Sequence, residues 1–175
     1  MATSAGYPRI VEAQRMSAWQ FGFGSIEGGR LELGSFRGRP VLVVNTASRC
    51  GFTKQYTGLQ QVWTRYQPRG LTVIGVPSNE FGGQEPGTNE DIQAFCSKDF
   101  GVTFPLASRT TVSGANAHPF YAWAARERPT ETPRWNFHKY LIGRDGQIAA
   151  VFPTSTEPGD SRVILAIEKV LAGLS

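Results

Sequence analysis

Pro40-Val-Leu-Val-Val-Asn45 and Leu71-Thr-Val-Ile-Gly-Val76 are two short apolar runs, and between them lies Cys50-Gly-Phe-Thr-Lys-Gln-Tyr-Thr-Gly-Leu-Gln-Gln-Val-Trp-Thr-Arg-Tyr66. A continuous apolar run of this length is the pattern of a central strand buried on both faces. Tyr56, Leu59, Trp63 and Tyr66 recur at helical spacing and the stretch closes at Pro68 and Gly70, so a helix is predicted from about Thr53 to Gln67. A strand, a helix and a second strand in this order predict a parallel pair joined by a right-handed crossover.

Outward from this unit, Thr88 followed by Asp91 reads as a capping box that starts a helix over residues 88–98, with Ile92, Phe95, Cys96 and Phe100 on its apolar side. A third helix is predicted over 117–125, with Pro119 in its first turn. Trp135 to Ile142 and Gln147 to Phe152 flank Arg144-Asp145-Gly146 and predict an antiparallel hairpin, and Val163, Ile164, Ile167, Val170 and Leu171 mark a closing helix. Upstream, Trp19 to Leu33 predicts a further hairpin turning at Gly28 and Gly29. Residues 1–15 show no period and are expected to be a flexible extension, with one domain over 16–175. The element order describes a thioredoxin-like α/β domain: a central mixed sheet flanked by helices, with an N-terminal hairpin.

The chain has 175 residues, 40% of them hydrophobic and 18% charged, which suits one domain with its own core. Two cysteines cannot make a disulfide scaffold and no signal-like start is visible, so a reducing, cytoplasmic setting is expected. No apolar run approaches a membrane span, and no stable membrane insertion is expected. The net charge of +4 is spread over eighteen scattered Lys and Arg with no basic run, which argues against nucleic-acid binding. It leaves a mild positive potential toward acidic partners. His118 and His138 are the only histidines and have no ligand spacing, so no metal site is expected.

Cys50 follows the first apolar run and precedes the helix, where unpaired N–H groups and the neighbouring Arg49 favour a thiolate, and a thiolate is a nucleophile. A lone cysteine in that place is also a common core residue. The loop Pro77-Ser-Asn-Glu-Phe-Gly-Gly-Gln-Glu-Pro-Gly87 follows the carboxyl end of the second strand, the edge on which open α/β sheets build their sites, and its glycines can bring Gln84 toward Cys50. Arg134-Trp-Asn-Phe137 opens the late hairpin with an indole N–H and a carboxamide, although a Trp in a small domain is more often core.

Together, Asn-Thr-Ala-Ser-Arg-Cys-Gly-Phe-Thr at 45–53, Asn-Glu-Phe-Gly-Gly-Gln-Glu-Pro-Gly at 79–87, Gly-Val-Thr-Phe-Pro-Leu at 101–106, Asn116 to Pro119 and Trp-Asn-Phe at 135–137 closely resemble the glutathione peroxidase family over residues 17–172. The resemblance implies a thiol peroxidase in which Cys50, here cysteine rather than selenocysteine, attacks a hydroperoxide. Gln84, Trp135 and Asn136 match the polar residues around the reactive atom, where positioned donors meet the departing oxygen. Cys50 becomes a sulfenic acid. Cys96 matches the resolving cysteine of the non-selenium, thioredoxin-dependent members. It would close a disulfide that thioredoxin, rather than glutathione, reduces.

If Cys96 packs inward, the helix that carries it has to unwind for the two sulfurs to meet. Ser78 and Glu80 depart from the family pattern, adding a negative charge and removing a third thiol. The stretch from about Arg126 to Arg134 is short compared with that of the tetrameric, glutathione-using members, so the resemblance implies a monomer with an open site that admits lipid hydroperoxides. No cofactor is implied. Two alternatives stay open: a peroxide-sensing redox relay built on Cys50 and Cys96, and a catalytically dead binding module, which the competent side chains at 50, 84, 135 and 136 weaken.

Overall fold

In the computed structural model, which describes residues 15–174, the N-terminal hairpin pairs β1 (Gly22–Gly24) antiparallel with β2 (Arg30–Glu32). Gly28 and Gly29 take φ values of 95° and 73°, the left-handed region that this tight turn requires. The expected extension over 1–15 lies, but for Arg15, outside the described residues.

β3 (Val41–Thr46) is buried at all six positions, as its unbroken apolar run requires. It leads through a run of turns into α1 (Gln55–Tyr66), and the chain returns as β4 (Thr72–Pro77), parallel to β3 from Val41 opposite Thr72 to Thr46 opposite Pro77. α1 is two residues shorter at its start than the sequence predicts. Thr53 heads the turn that precedes it, with Tyr56 N–H already donating to the Thr53 carbonyl at 3.1 Å.

α2 (Asn89–Phe100) opens on the predicted capping box. Thr88 N–H donates to Asp91 Oδ2 at 3.1 Å, and Asp91 N–H donates to Thr88 Oγ1 at 3.2 Å. α3 (Pro119–Glu127) begins on Pro119, with His118 Nδ1 accepting the Phe120 N–H at 3.1 Å.

The late hairpin corrects the predicted boundary. Its first strand, β5, covers only Lys139–Ile142, and β6 covers Ile148–Phe152. Trp135, Asn136 and Phe137 form a turn instead of strand, because Phe137 takes φ 64° and cannot continue a pleat. α4 (Ser161–Leu171) closes the chain.

The sheet order is β4-β3-β5-β6, with β3 and β4 parallel and the other pairs antiparallel. Leu42, Val44 and Leu141 face one core with Tyr56, Leu59, Ile92, Cys96, Val163 and Ile167; Val41, Val43, Tyr140 and Ile142 face the other with Phe23, Phe120 and Trp123. Each such large side chain contributes on the order of 1.5–3 kcal/mol by leaving water. The fold is thioredoxin-like. Its consequence for function is positional: β3 and β4 run out at the same edge, and antiparallel β5 starts there, with Lys139 opposite Val44. Three segments, 45–53, 77–87 and 134–138, therefore meet at one end of the sheet.

Candidate active site

Cys50 lies in the turn ahead of α1, with 9% of its surface exposed. Thr53 Oγ1 accepts the Cys50 N–H at 3.0 Å, and the Phe52 N–H donates to Cys50 Sγ at 3.4 Å, a donor aimed at the sulfur. Arg49 N–H donates to the Gln84 carbonyl at 2.9 Å, which clamps the cysteine turn to the glycine-rich loop. That loop is shaped internally by Glu85 N–H donating to Asn79 Oδ1 at 2.8 Å. Gly82, at φ 71°, lies so close to the Trp135 ring that a Cβ there would sit 2.9 Å from it.

The third segment is pinned from below. Asn45, buried at the end of β3, donates from Nδ2 to the Trp135 carbonyl at 3.0 Å and accepts the Phe137 N–H on its own carbonyl at 2.6 Å. The fully buried Asn136 is thereby presented to the loop, and its Nδ2 donates to Gln84 Oε1 at 2.9 Å. This bond orients the Gln84 carboxamide so that its NH2 group is left for another acceptor. Asn136 Oδ1 is buried with no partner among the described residues, an acceptor waiting for a proton donor.

Burial sets the charges around this edge. Lys139, with no exposed surface, donates from Nζ to the Phe137 carbonyl at 2.6 Å, and desolvation pulls its ammonium down to about 7. His138 is likewise held down to about 4, chiefly by burial. The Glu85 carboxyl is pushed up to about 7 by burial, against the pull of Ser48, Arg109 and Arg49. Beside the edge a cleft of about 580 Å³ is walled by Phe52, Trp135, Val151 and Pro153, with Arg134 at its rim.

A family model described as glutathione peroxidase matches residues 18–125, which span the cysteine turn, the glycine-rich loop and α2. The chain belongs to the glutathione peroxidase family. It is a peroxidase by that membership, and relatives agree over most of its length. The hydroperoxy fatty acid reductase gpx1 of Synechocystis sp. is 39% identical over 86% of this chain and 94% of its own. The glutathione peroxidase-like peroxiredoxin gpx1 of Schizosaccharomyces pombe is 41% identical over 75% of this chain and 85% of its own. Among solved structures, Trgpx in its apo form superposes with a TM-score of 0.74 at 32% identity, covering 92% of this chain and 99% of that one.

Against the family's pattern the structure brings Cys50, Gln84, Trp135 and Asn136 to one edge of the sheet. Cys96 stands apart. It is fully buried on α2, its thiol is free like that of Cys50, and burial pushes it up to about 11 while the adjacent Tyr56 hydroxyl acts the other way. Cys96 also walls a separate hollow of about 680 Å³ between α2 and the N-terminal hairpin. Glu80 is absorbed locally: it accepts from the Ser78 hydroxyl and from Val112 N–H at 2.9 Å. Sequence reading missed Asn45, Glu85 and Lys139. For Asn45 a signal existed, a polar residue at the end of a run whose every neighbour is buried; for the two charged residues there was none.

Proposed function

We propose that this peroxidase uses Cys50 as its nucleophile and Gln84, Trp135 and Asn136 as the groups that receive the departing oxygen. The Cys50 thiolate attacks one oxygen of a hydroperoxide, the O–O bond breaks, and the leaving alkoxide or hydroxide takes up a proton as alcohol or water. Cys50 is left as a sulfenic acid. The Gln84 NH2 group and the Trp135 indole N–H supply donors where negative charge develops. The observation that carries this reading is the Asn136–Gln84 bond of 2.9 Å on the loop that the Arg49 N–H ties to the cysteine turn.

Cys96 is read as the resolving thiol: it attacks the sulfenic acid, a disulfide forms and water leaves. Thioredoxin reduces that disulfide, since the sequence assigns no basic cluster suited to glutathione. The apolar wall of the cleft beside Trp135, with Phe52 exposed at 39%, supports organic and lipid hydroperoxides as substrates along with hydrogen peroxide. The peroxiredoxin and fatty-acid-reductase names of the two relatives point the same way. Among the described residues no helix is long and apolar enough to cross a membrane. A monomer in the cytoplasm completes the proposal.

The test is NADPH-coupled turnover with thioredoxin and its reductase, or with glutathione, against hydrogen peroxide and an organic hydroperoxide. Sustained turnover with thioredoxin, lost in Cys50→Ser by a factor on the order of 1,000 or more, is expected. Turnover that survives in Cys50→Ser would overturn the assignment. The deep burial of Cys96 favours one second reading, a peroxide-sensing relay; a single stoichiometric oxidation without turnover would establish it.

A further inference from the structure

α2 is the element that must move if Cys96 is to meet Cys50, and the layer beneath it is polar. Tyr56 packs its ring against Phe95 and Phe100 of α2, at centroid distances of 6.4 and 5.5 Å, while its hydroxyl lies against the Cys96 thiol and the Thr46 hydroxyl. Nearby, the Glu85 carboxyl, 1% exposed, sits against Ser48. Four oxygens of this layer, Thr46 Oγ1, Ser48 Oγ, the Tyr56 hydroxyl and Glu85 Oε2, are buried against one another without a well-formed hydrogen bond among the described residues. A hollow of about 360 Å³ separates Ser48, Arg49 and Glu85 from Asp91, Ile92 and Phe95 of α2.

We propose that the Glu85 carboxyl controls the resolving step: loss of its proton releases α2 from the core and lets Cys96 reach the Cys50 sulfenic acid. This rests on the reading of Cys96 as the resolving thiol. A neutral carboxyl can stay under α2, but a carboxylate there has lost its water and gains from Ser48, Arg109 and Arg49 less than that loss costs. Two cations face it. Arg49 stands on the cysteine turn, and Arg109 has its Nη1 committed to the carbonyls of Glu85 and Gly87 at 3.1 and 3.3 Å. Desolvation outweighs both of them. Tyr56 on α1, and Cys96 and Asp91 on α2, face the same space and add no positive charge.

When α2 lifts, water reaches Glu85 and its charge becomes an ordinary exposed one. Opening therefore proceeds with release of a proton to solvent, and the open fraction grows with pH from the ordinary carboxyl value of 4.5 up to about 7, then levels. Cys96 then attacks: its S–H bond and the S–O bond of the sulfenic acid break, the S–S bond forms, and the proton and hydroxide leave as water. The sulfenic sulfur is reduced and Cys96 oxidised, with no further reagent.

The experiment is backbone amide exchange of α2 in the reduced protein at about pH 5.5 and about pH 8, corrected for the intrinsic chemical rate, in wild type and Glu85→Gln, with the disulfide mapped after one equivalent of peroxide. The opening of α2 in wild type is expected to increase roughly thirtyfold between the two conditions, as a shift from 4.5 to about 7 implies. Glu85→Gln, whose neutral amide mimics the protonated side chain, should open to the same extent at both and less than wild type at either. Equal pH dependence in wild type and Glu85→Gln overturns the role of Glu85, and so does wild-type protection of α2 that is the same at both pH values, whatever the variant does. Either result leaves the resolving reading intact if the Cys50–Cys96 disulfide is found; wild type that never forms it overturns that reading and this inference with it.

Discussion

Gly82 and Lys139 show how single residues hold the edge of the sheet where Cys50, Gln84 and Trp135 meet. At Gly82, φ 71° and a 2.9 Å approach to the Trp135 ring leave no room for a methyl group. Gly82→Ala should cost roughly 1–2 kcal/mol of stability and displace the indole, lowering kcat/KM about tenfold or more. Thermal unfolding together with Trp fluorescence and steady-state kinetics would check it. Lys139 is held to about 7 by burial, against an ordinary 10.5. Below about pH 7 folded and unfolded chains both carry its proton, and the cost of burying the charge applies in full. Between about 7 and 10.5 the unfolded chain binds the extra proton, so the stability owed to this side chain rises with pH, by at most about 1.4 kcal/mol per unit. Lys139→Met should remove that rise, so that thermal unfolding of wild type gains on the variant from about pH 7 to 9. The variant should also turn over more slowly, because the Phe137 carbonyl loses the ammonium that holds it at 2.6 Å.

Among the elements, α2 is the one whose state should differ between reduced and oxidised protein. Its inner face is Ile92 and Cys96, with Phe95 and Phe100 against Tyr56, and these contacts must part for a disulfide to form. Limited proteolysis should cut within residues 89–100 after one equivalent of peroxide in wild type and leave them intact in Cys96→Ser; identical patterns would rule out redox-coupled unwinding. The start of α2 was legible because a capping box is a local signal, and β3 and β4 because their apolar runs have a single reading as buried strands. The start of β5 was not. Trp135 and Phe137 carry the β propensity of aromatic residues, yet Asn45, ninety positions away, takes the Trp135 carbonyl and the Phe137 N–H and bends the segment into a turn. Glu85 and Lys139 escaped for a related reason: charged side chains default to the surface, and only tertiary packing shows them buried.

For the whole molecule, the net charge of +4 is a long-range property separate from the edge chemistry. An acidic protein reductant should associate faster at low ionic strength, with kcat/KM for the reductant falling several-fold as salt rises past the point where the Debye length is about 10 Å. Stopped-flow oxidation of Cys50 by uncharged hydrogen peroxide should not respond; a parallel fall in both steps would show a general salt effect instead. Because Asn45 stitches the Trp135–Phe137 turn to the innermost strand, that turn survives as long as the sheet does, whereas α2 is fastened by one helix face. Gentle warming should therefore act on the two halves of the cycle unequally. Over an interval of temperature below the melting point, the edge that takes the first peroxide stays intact while α2 opens more often, so closure of the Cys50–Cys96 disulfide should quicken before the fold is lost.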